Sequence, residues 1–141
     1  MTPLTRVPDW QSRLRLYLRA ARHRPLTPGQ HDCCLFAAGA VAAQTGVDLA
    51  AGWRGRYTTI RGGYRVLRAA GYADHVALIA AHLPETSPSR CAEGDIAVLP
   101  GEDGIATGVI QGEAVYVLWA GGSLTLAPID AVLRGFKVGG A

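Results

Sequence analysis

The chain is expected to be an α+β domain: N-terminal helices, one of them a buried core helix, packed on a small C-terminal antiparallel sheet. Two observations lead there. Before about residue 91 the apolar residues recur at helical spacing, and from Gly94 onward they come in short runs broken by turn residues. The helices also precede the strands without alternating with them, which is the order of an α+β chain and not of a parallel α/β one. At 141 residues and 49% hydrophobic, the chain suits one domain, 1–141, burying roughly two thirds of its unfolded surface. Within it, 1–29 reads as a basic helical extension, 30–91 as the helical half and 92–141 as the sheet.

Pro8 to Arg22 predicts an amphipathic helix, with Trp10, Leu14, Tyr17, Leu18 and Ala21 on one face and Arg13, Arg15, Arg19 and Arg22 largely off it. Pro25 and Pro28-Gly29 then turn the chain into His31-Asp32-Cys33-Cys34. Asp32 is placed to cap a helix by accepting N–H bonds from its first turn, and Gly46 to stop it in a left-handed conformation. Nearly every residue from Cys33 to Ala43 is apolar, so this helix lacks a solvent face and belongs in the core. Val47 to Gly63, with Gly52-Trp53-Arg54-Gly55-Arg56-Tyr57 as its most distinctive part, predicts a loop packed by its own aromatics, and both local packing and groove lining are open to it. Helical segments are expected at Tyr64 to Ala70, ended by Gly71, and at Val76 to His82, with a polar connection over Pro84 to Arg90. In the sheet, strands are expected at Ile96 to Leu99, Ile105 to Gln111, Ala114 to Trp119, Leu124 to Leu126 and Gly135 to Val138. Gly112-Glu113 forms a hairpin turn, and a helical turn lies near Pro128 to Arg134.

The formal net charge is +3, and six arginines precede residue 25 against Asp9 alone. That end offers a basic surface, but aromatics do not interleave with the basic residues and no binding motif is present, so nucleic-acid binding is not expected. Thirteen of the fourteen basic residues are Arg, which fits a GC-rich coding bias. Three cysteines, two of them adjacent, do not make a disulfide framework. No run approaches the ~18 apolar residues of a membrane span, and the start lacks a signal-peptide pattern. The expectation is a protein made in the bacterial cytoplasm without a signal peptide.

Cys33 is the chemical focus. A helix N-terminus carries partial positive charge and open N–H donors, which favour a thiolate. The order of features resembles the NlpC-type cell-wall cysteine hydrolases of the papain-like superfamily. Asp32-Cys33-Cys34-Leu35 matches their Asp-Cys-Ser-Gly motif, Gly94-Asp95-Ile96-Ala97-Val98 their Gly-Asp strand, and Ala106-Thr107-Gly108-Val109-Ile110 their His-Val-Gly-Ile-like strand. His31-Asp32-Cys33-Cys34, Gly55-Arg56-Tyr57 and Leu133-Arg134-Gly135-Phe136-Lys137-Val138 together look like a family of small proteins encoded among phage and prophage tail genes. The resemblance implies a papain-like fold with Cys33 at the nucleophile position.

In this alignment the sheet histidine is replaced by Ala106, and Val117, Leu118 and Trp119 stand where a group orienting the imidazole belongs. A thiol hydrolase needs a base to take and return the proton. His31 and His75 are the candidates for it, and Trp53, Arg56 and Tyr57 are candidate binding residues. Asp74 beside His75 faces another direction on a helix and does not make a dyad with it. Cys34 is expected to point into packing. His31, Cys33, Cys34 and Cys91 match no zinc-ligand spacing, so neither metal nor cofactor is expected. Two functions follow from the resemblance: a phage tail or tail-tip virion protein, structural or docking in role and a degenerate hydrolase, with other tail proteins as partners; or an active cysteine peptidase or amidase acting on peptidoglycan during genome entry.

Overall fold

The computed structural model describes residues 4–101, 104–119 and 123–139. Four helices lead, α1 (Trp10–Ala21), α2 (Cys33–Thr45), α3 (Ile60–Ala69) and α4 (His75–Ala80). Six strands follow, β1 (Glu85–Thr86), β2 (Ile96–Gly101), β3 (Gly104–Gln111), β4 (Ala114–Leu118), β5 (Leu124–Pro128) and β6 (Arg134–Phe136), with short 3-10 turns at Pro88–Arg90 and Ile129–Ala131. All pairings are antiparallel, in the order β1-β6-β2-β3-β4-β5. The chain is thus α+β, with N-terminal helices packed on a C-terminal six-stranded antiparallel sheet. The stretch 84–90, expected to be a plain connection, instead supplies β1, because Glu85 and Thr86 find open partners in Phe136 and Gly135 at the sheet edge.

The core helix begins and ends where its sequence requires. Asp32 accepts the Leu35 N–H at 3.0 Å, and Gly46 closes the helix at φ 79°, a conformation that an L side chain resists. Leu35, Phe36, Ala37, Ala40 and Val41 are essentially inaccessible, packed among α1 and the face of the sheet that carries Ile96, Val98, Val109 and Phe136. Leu14 and Leu18 place α1 in the same core, and the Tyr17 hydroxyl donates to the Phe36 carbonyl at 2.8 Å. The basic N-terminal segment is therefore built into the domain, with Arg13, Arg15, Arg19, Arg22 and Arg24 turned outward and Arg6 turned inward. On the opposite sheet face Ala97, Leu99, Ala106, Ile110, Val115 and Val117 form a second, smaller core with Val132. Burial on both faces explains why β2 reads as an unbroken apolar run.

The Gly94-Asp95 pair is structural. Asp95 is fully buried and accepts from Lys137 Nζ at 2.7 Å, Val138 N–H at 3.0 Å and Ala92 N–H at 2.9 Å, with the Arg6 guanidinium 3.5 Å away. Buried Gln44 of α2 donates to the Gly94 carbonyl at 2.9 Å and accepts from Arg6 Nε at 2.9 Å. One polar cluster thus joins both ends of the described chain to the core helix and the sheet, with its buried carboxylate fully paired.

Two strand ends shape the site. The β2–β3 ladder runs the full length from Gly101↔Gly104 to Ile96↔Val109, whereas the β3–β4 ladder covers only Gly108 to Gln111. β3 therefore outruns β4, and the N-terminus of α2 meets β3 near that step, where the Thr107 hydroxyl donates to the Cys33 carbonyl at 2.8 Å.

Candidate active site

Cys33 and His75 are each the first residue of a helix, and each follows a capping aspartate. Asp32 holds the start of α2, and Asp74 accepts the Ala77 N–H at 2.8 Å at the start of α4. Capping fixes where a first-turn side chain can point. The two helix starts face each other, and the Cys33 sulfur lies 3.7 Å from His75 Nε2. Cys33 is half-buried and His75 is 3% exposed. A small cavity opens over the pair, lined by Cys33, Cys34, Tyr57, Ile60, Tyr64 and His75. Tyr64 meets the imidazole edge-on, with ring centroids 6.0 Å apart.

Asp32 organises this end of the molecule beyond its cap. It is buried and accepts the Gly29 N–H at 3.0 Å and the Tyr57 hydroxyl at 2.6 Å as well as the Leu35 N–H. The turn before α2 and the loop before α3 are thereby tied to the start of the core helix. Gly29 sits at φ 84° directly against the Tyr57 carbonyl, where a Cβ would have no room.

Burial dominates the electrostatics. It pushes the Cys33 thiol up to about 11, helped by the Asp32 carboxylate and opposed by the Thr107 N–H and hydroxyl and the Cys34 N–H near the sulfur. It raises Cys34 still further. His75 is lowered below the ordinary imidazole value by burial, with Asp74 and Asp32 pulling the other way. The resting pair is therefore a neutral thiol beside a neutral imidazole, which can accept a proton from the thiol when substrate arrives.

The other candidates lie as follows. His31 is 2% exposed, its ring edge-on to Phe36 at 6.0 Å and its Nε2 without a partner among the described residues. It makes no hydrogen bond to Cys33 among them and lines neither cavity beside the thiol. Of the proposed binding residues, Tyr57 lines the cavity, Trp53 packs edge-on against Tyr72, and Arg56 is exposed. Cys34, expected in packing, is half-buried like Cys33 and lines the cavity with it, because neighbouring positions at the start of a helix both border its open end. Ala106 pairs with Leu99 and packs with the second core while also lining a cavity that reaches Cys33; the alternation of β3 turns the Thr107 hydroxyl toward the Cys33 carbonyl.

Ile60, Tyr64 and Thr107 are site residues that the sequence reading missed. Gly62-Gly63 hid the first turn of α3, which the Thr59 side chain caps by accepting the Gly62 N–H at 3.0 Å. The recurring Asp-Cys and Asp-His pairs, each ahead of an apolar helical run, were the available signal for the dyad. Among the described residues no cluster of His, Cys, Asp and Glu is arranged to hold a metal, and no helix is long and apolar enough to cross a membrane.

The sequence matches a family described as a domain of unknown function, DUF6950, over residues 5–138. The chain belongs to the DUF6950 family. That match spans α1 through β6, so the family unit includes both helix starts and the whole described sheet. No curated protein matches this DUF6950 chain in sequence.

Proposed function

We propose that this DUF6950 protein is a cysteine hydrolase in which Cys33 is the nucleophile and His75 the general base and acid. The observation that carries the proposal is the 3.7 Å approach of His75 Nε2 to the Cys33 sulfur beside an open cavity. In the first step the sulfur attacks a substrate carbonyl carbon while the thiol proton passes to His75 Nε2. As the carbonyl reforms, the bond to the leaving amine or alcohol breaks, and His75 returns the proton to that group. Water then attacks the thioester and gives its proton to His75, the acid departs, and the proton passes back to sulfur. The N–H groups of Cys34 and Thr107, which lie near the sulfur, are the donors we assign to the developing oxyanion. The resemblance to NlpC-type enzymes supports a papain-like assignment and peptidoglycan peptides as the natural target, with the base supplied from α4 and not from the sheet.

Release of soluble products from peptidoglycan fragments, and turnover of an activated ester, are measured for the wild type, Cys33→Ala and His75→Gln. The expected result is background turnover for Cys33→Ala and a fall of about 10²–10⁴-fold for His75→Gln. Equal, background-level turnover by all three overturns the proposal.

A second reading, a tail or tail-tip virion protein with the hydrolase machinery partly lost, has its own supporting observation. Both members of the pair rest neutral, and among the described residues no side chain hydrogen-bonds the second ring nitrogen of His75. Purified tails are expected to contain the chain in stoichiometric amount under this reading, and its absence from them sinks it.

A further inference from the structure

A second cavity shares the Cys33 sulfur's end of α2. It is a groove of about 240 Å³ lined by Leu26, Ile60, Tyr64, Ile105, Leu118 and Trp119, opening where β3 outruns β4. Among the described residues its lining carries no charged side chain. Among the described residues seven large apolar side chains are exposed, and three of them, Ile60 at 37%, Ile105 at 47% and Trp119 at 48%, border this one groove. Exposed apolar side chains gathered in one concavity mark a binding surface, whereas scattered ones need no explanation. Ile60 and Tyr64 also line the His75 cavity, so a ridge of α3 separates base from groove with the thiol reachable from both.

We infer that the groove holds the acyl half of the substrate, and that this half is an uncharged, apolar chain of several carbons, carried as an ester, thioester or amide. The inference rests on Cys33 being the acylated residue, and in place of the peptidoglycan peptides that the resemblance suggests, whose acyl halves carry carboxylates, it names an apolar acyl donor. With the carbonyl at the sulfur, the leaving group lies on the His75 side, where its proton must be delivered, and the acyl chain runs the other way between α3 and the open end of β3. A charged acyl chain would lose its hydration in that lining without gaining a partner among the described residues.

Two measurements separate this inference from the hydrolase reading. The first uses p-nitrophenyl acetate, hexanoate and octanoate and an ester with a terminal carboxylate. Each buried CH2 is worth roughly a fourfold gain, so kcat/KM for octanoate is expected to exceed that for acetate by about tenfold or more, and the carboxylate ester to be the poorest. Ile105→Asp is expected to reduce the octanoate-to-acetate ratio by about tenfold. Leu126→Asp, an exposed residue of β5 outside the groove, leaves the ratio unchanged. The second needs no turnover: Cys33 labelling by N-hexylmaleimide and by a maleimide bearing a carboxylate of similar length is followed by mass-spectrometric mapping, with faster labelling by the hexyl reagent in wild type and loss of that preference in Ile105→Asp. Absent ester turnover with a strong maleimide preference overturns the hydrolase and keeps the groove. Labelling by the hexyl reagent that is no faster than by the charged one, or an acetate or carboxylate preference among the esters, overturns the inference.

Discussion

At Cys33 two opposing effects of one address are resolved by magnitude. The first turn of α2 offers N–H donors to a thiolate, but burial and the nearby Asp32 carboxylate outweigh them and hold the thiol at about 11. Thiolate is the reactive form, so alkylation at neutral pH should run roughly three hundredfold slower than for a free cysteine, whose pKa is about 8.5. The rate should keep climbing to about pH 11. Iodoacetamide pulses from pH 6 to 11, mapped by mass spectrometry, check this; fast labelling of Cys33 at pH 6 would reveal a thiolate–imidazolium pair instead. Cys34, raised further by burial, should label more slowly still at each pH. Proton transfer to His75 during attack, and not a preformed ion pair, is then the route to the nucleophile.

The packing of α1 on α2 depends on one position without a side chain. Tyr17 lies over Gly39, its ring stacked on Phe36 at 5.9 Å and its hydroxyl bonded to the Phe36 carbonyl. A Cβ at Gly39 would meet the Tyr17 ring and hydroxyl well inside contact distance. Gly39→Val should therefore push α1 outward and lose that hydrogen bond, costing about 1–3 kcal/mol of stability. Denaturant unfolding measures it. Gly39→Val combined with Tyr17→Ala should recover part of the loss, since the clash has then gone. A glycine in the middle of a helix otherwise weakens it, so close approach of the neighbouring helix accounts for its place here.

For the whole molecule, two buried histidines set the response to acid. Burial lowers both His31, with Arg24 and Arg54 adding to the effect and Asp32 opposing it, and His75, where Asp74 and Asp32 oppose it. The unfolded chain, with imidazoles near 6.5, then binds more protons than the folded one as pH falls. The stability they contribute is present above pH 6.5 and is lost as pH drops below it toward the depressed folded values. The melting temperature is expected to fall between pH 7.5 and 5, before most carboxylates titrate. His75→Gln should flatten part of that slope. A melting temperature constant over the interval would mean that both imidazoles charge freely in the folded protein.

Apolar period and capping chemistry made much of this fold legible. Asp32 and Gly46 bracket α2, the face of Trp10, Leu14, Tyr17, Leu18 and Ala21 meets the core, and Gly112 turns the β3–β4 hairpin, because each depends on residues within a few positions of one another. β1 was not legible, since two polar residues become a strand only when β6 offers an edge. Nor was the first turn of α3, masked by two glycines. In the site, the sequence by itself determined that Cys33 would start a buried helix, and it narrowed the base to His31 or His75. Only the tertiary structure decided which imidazole approaches the sulfur. His31 is two residues from Cys33, yet its ring turns to Phe36; His75 is separated by 42 positions and meets the thiol at 3.7 Å. Sequence distance records connection along the chain, whereas that approach depends on how α3 and α4 pack over the start of α2, a sum of many weak contacts that no local pattern encodes.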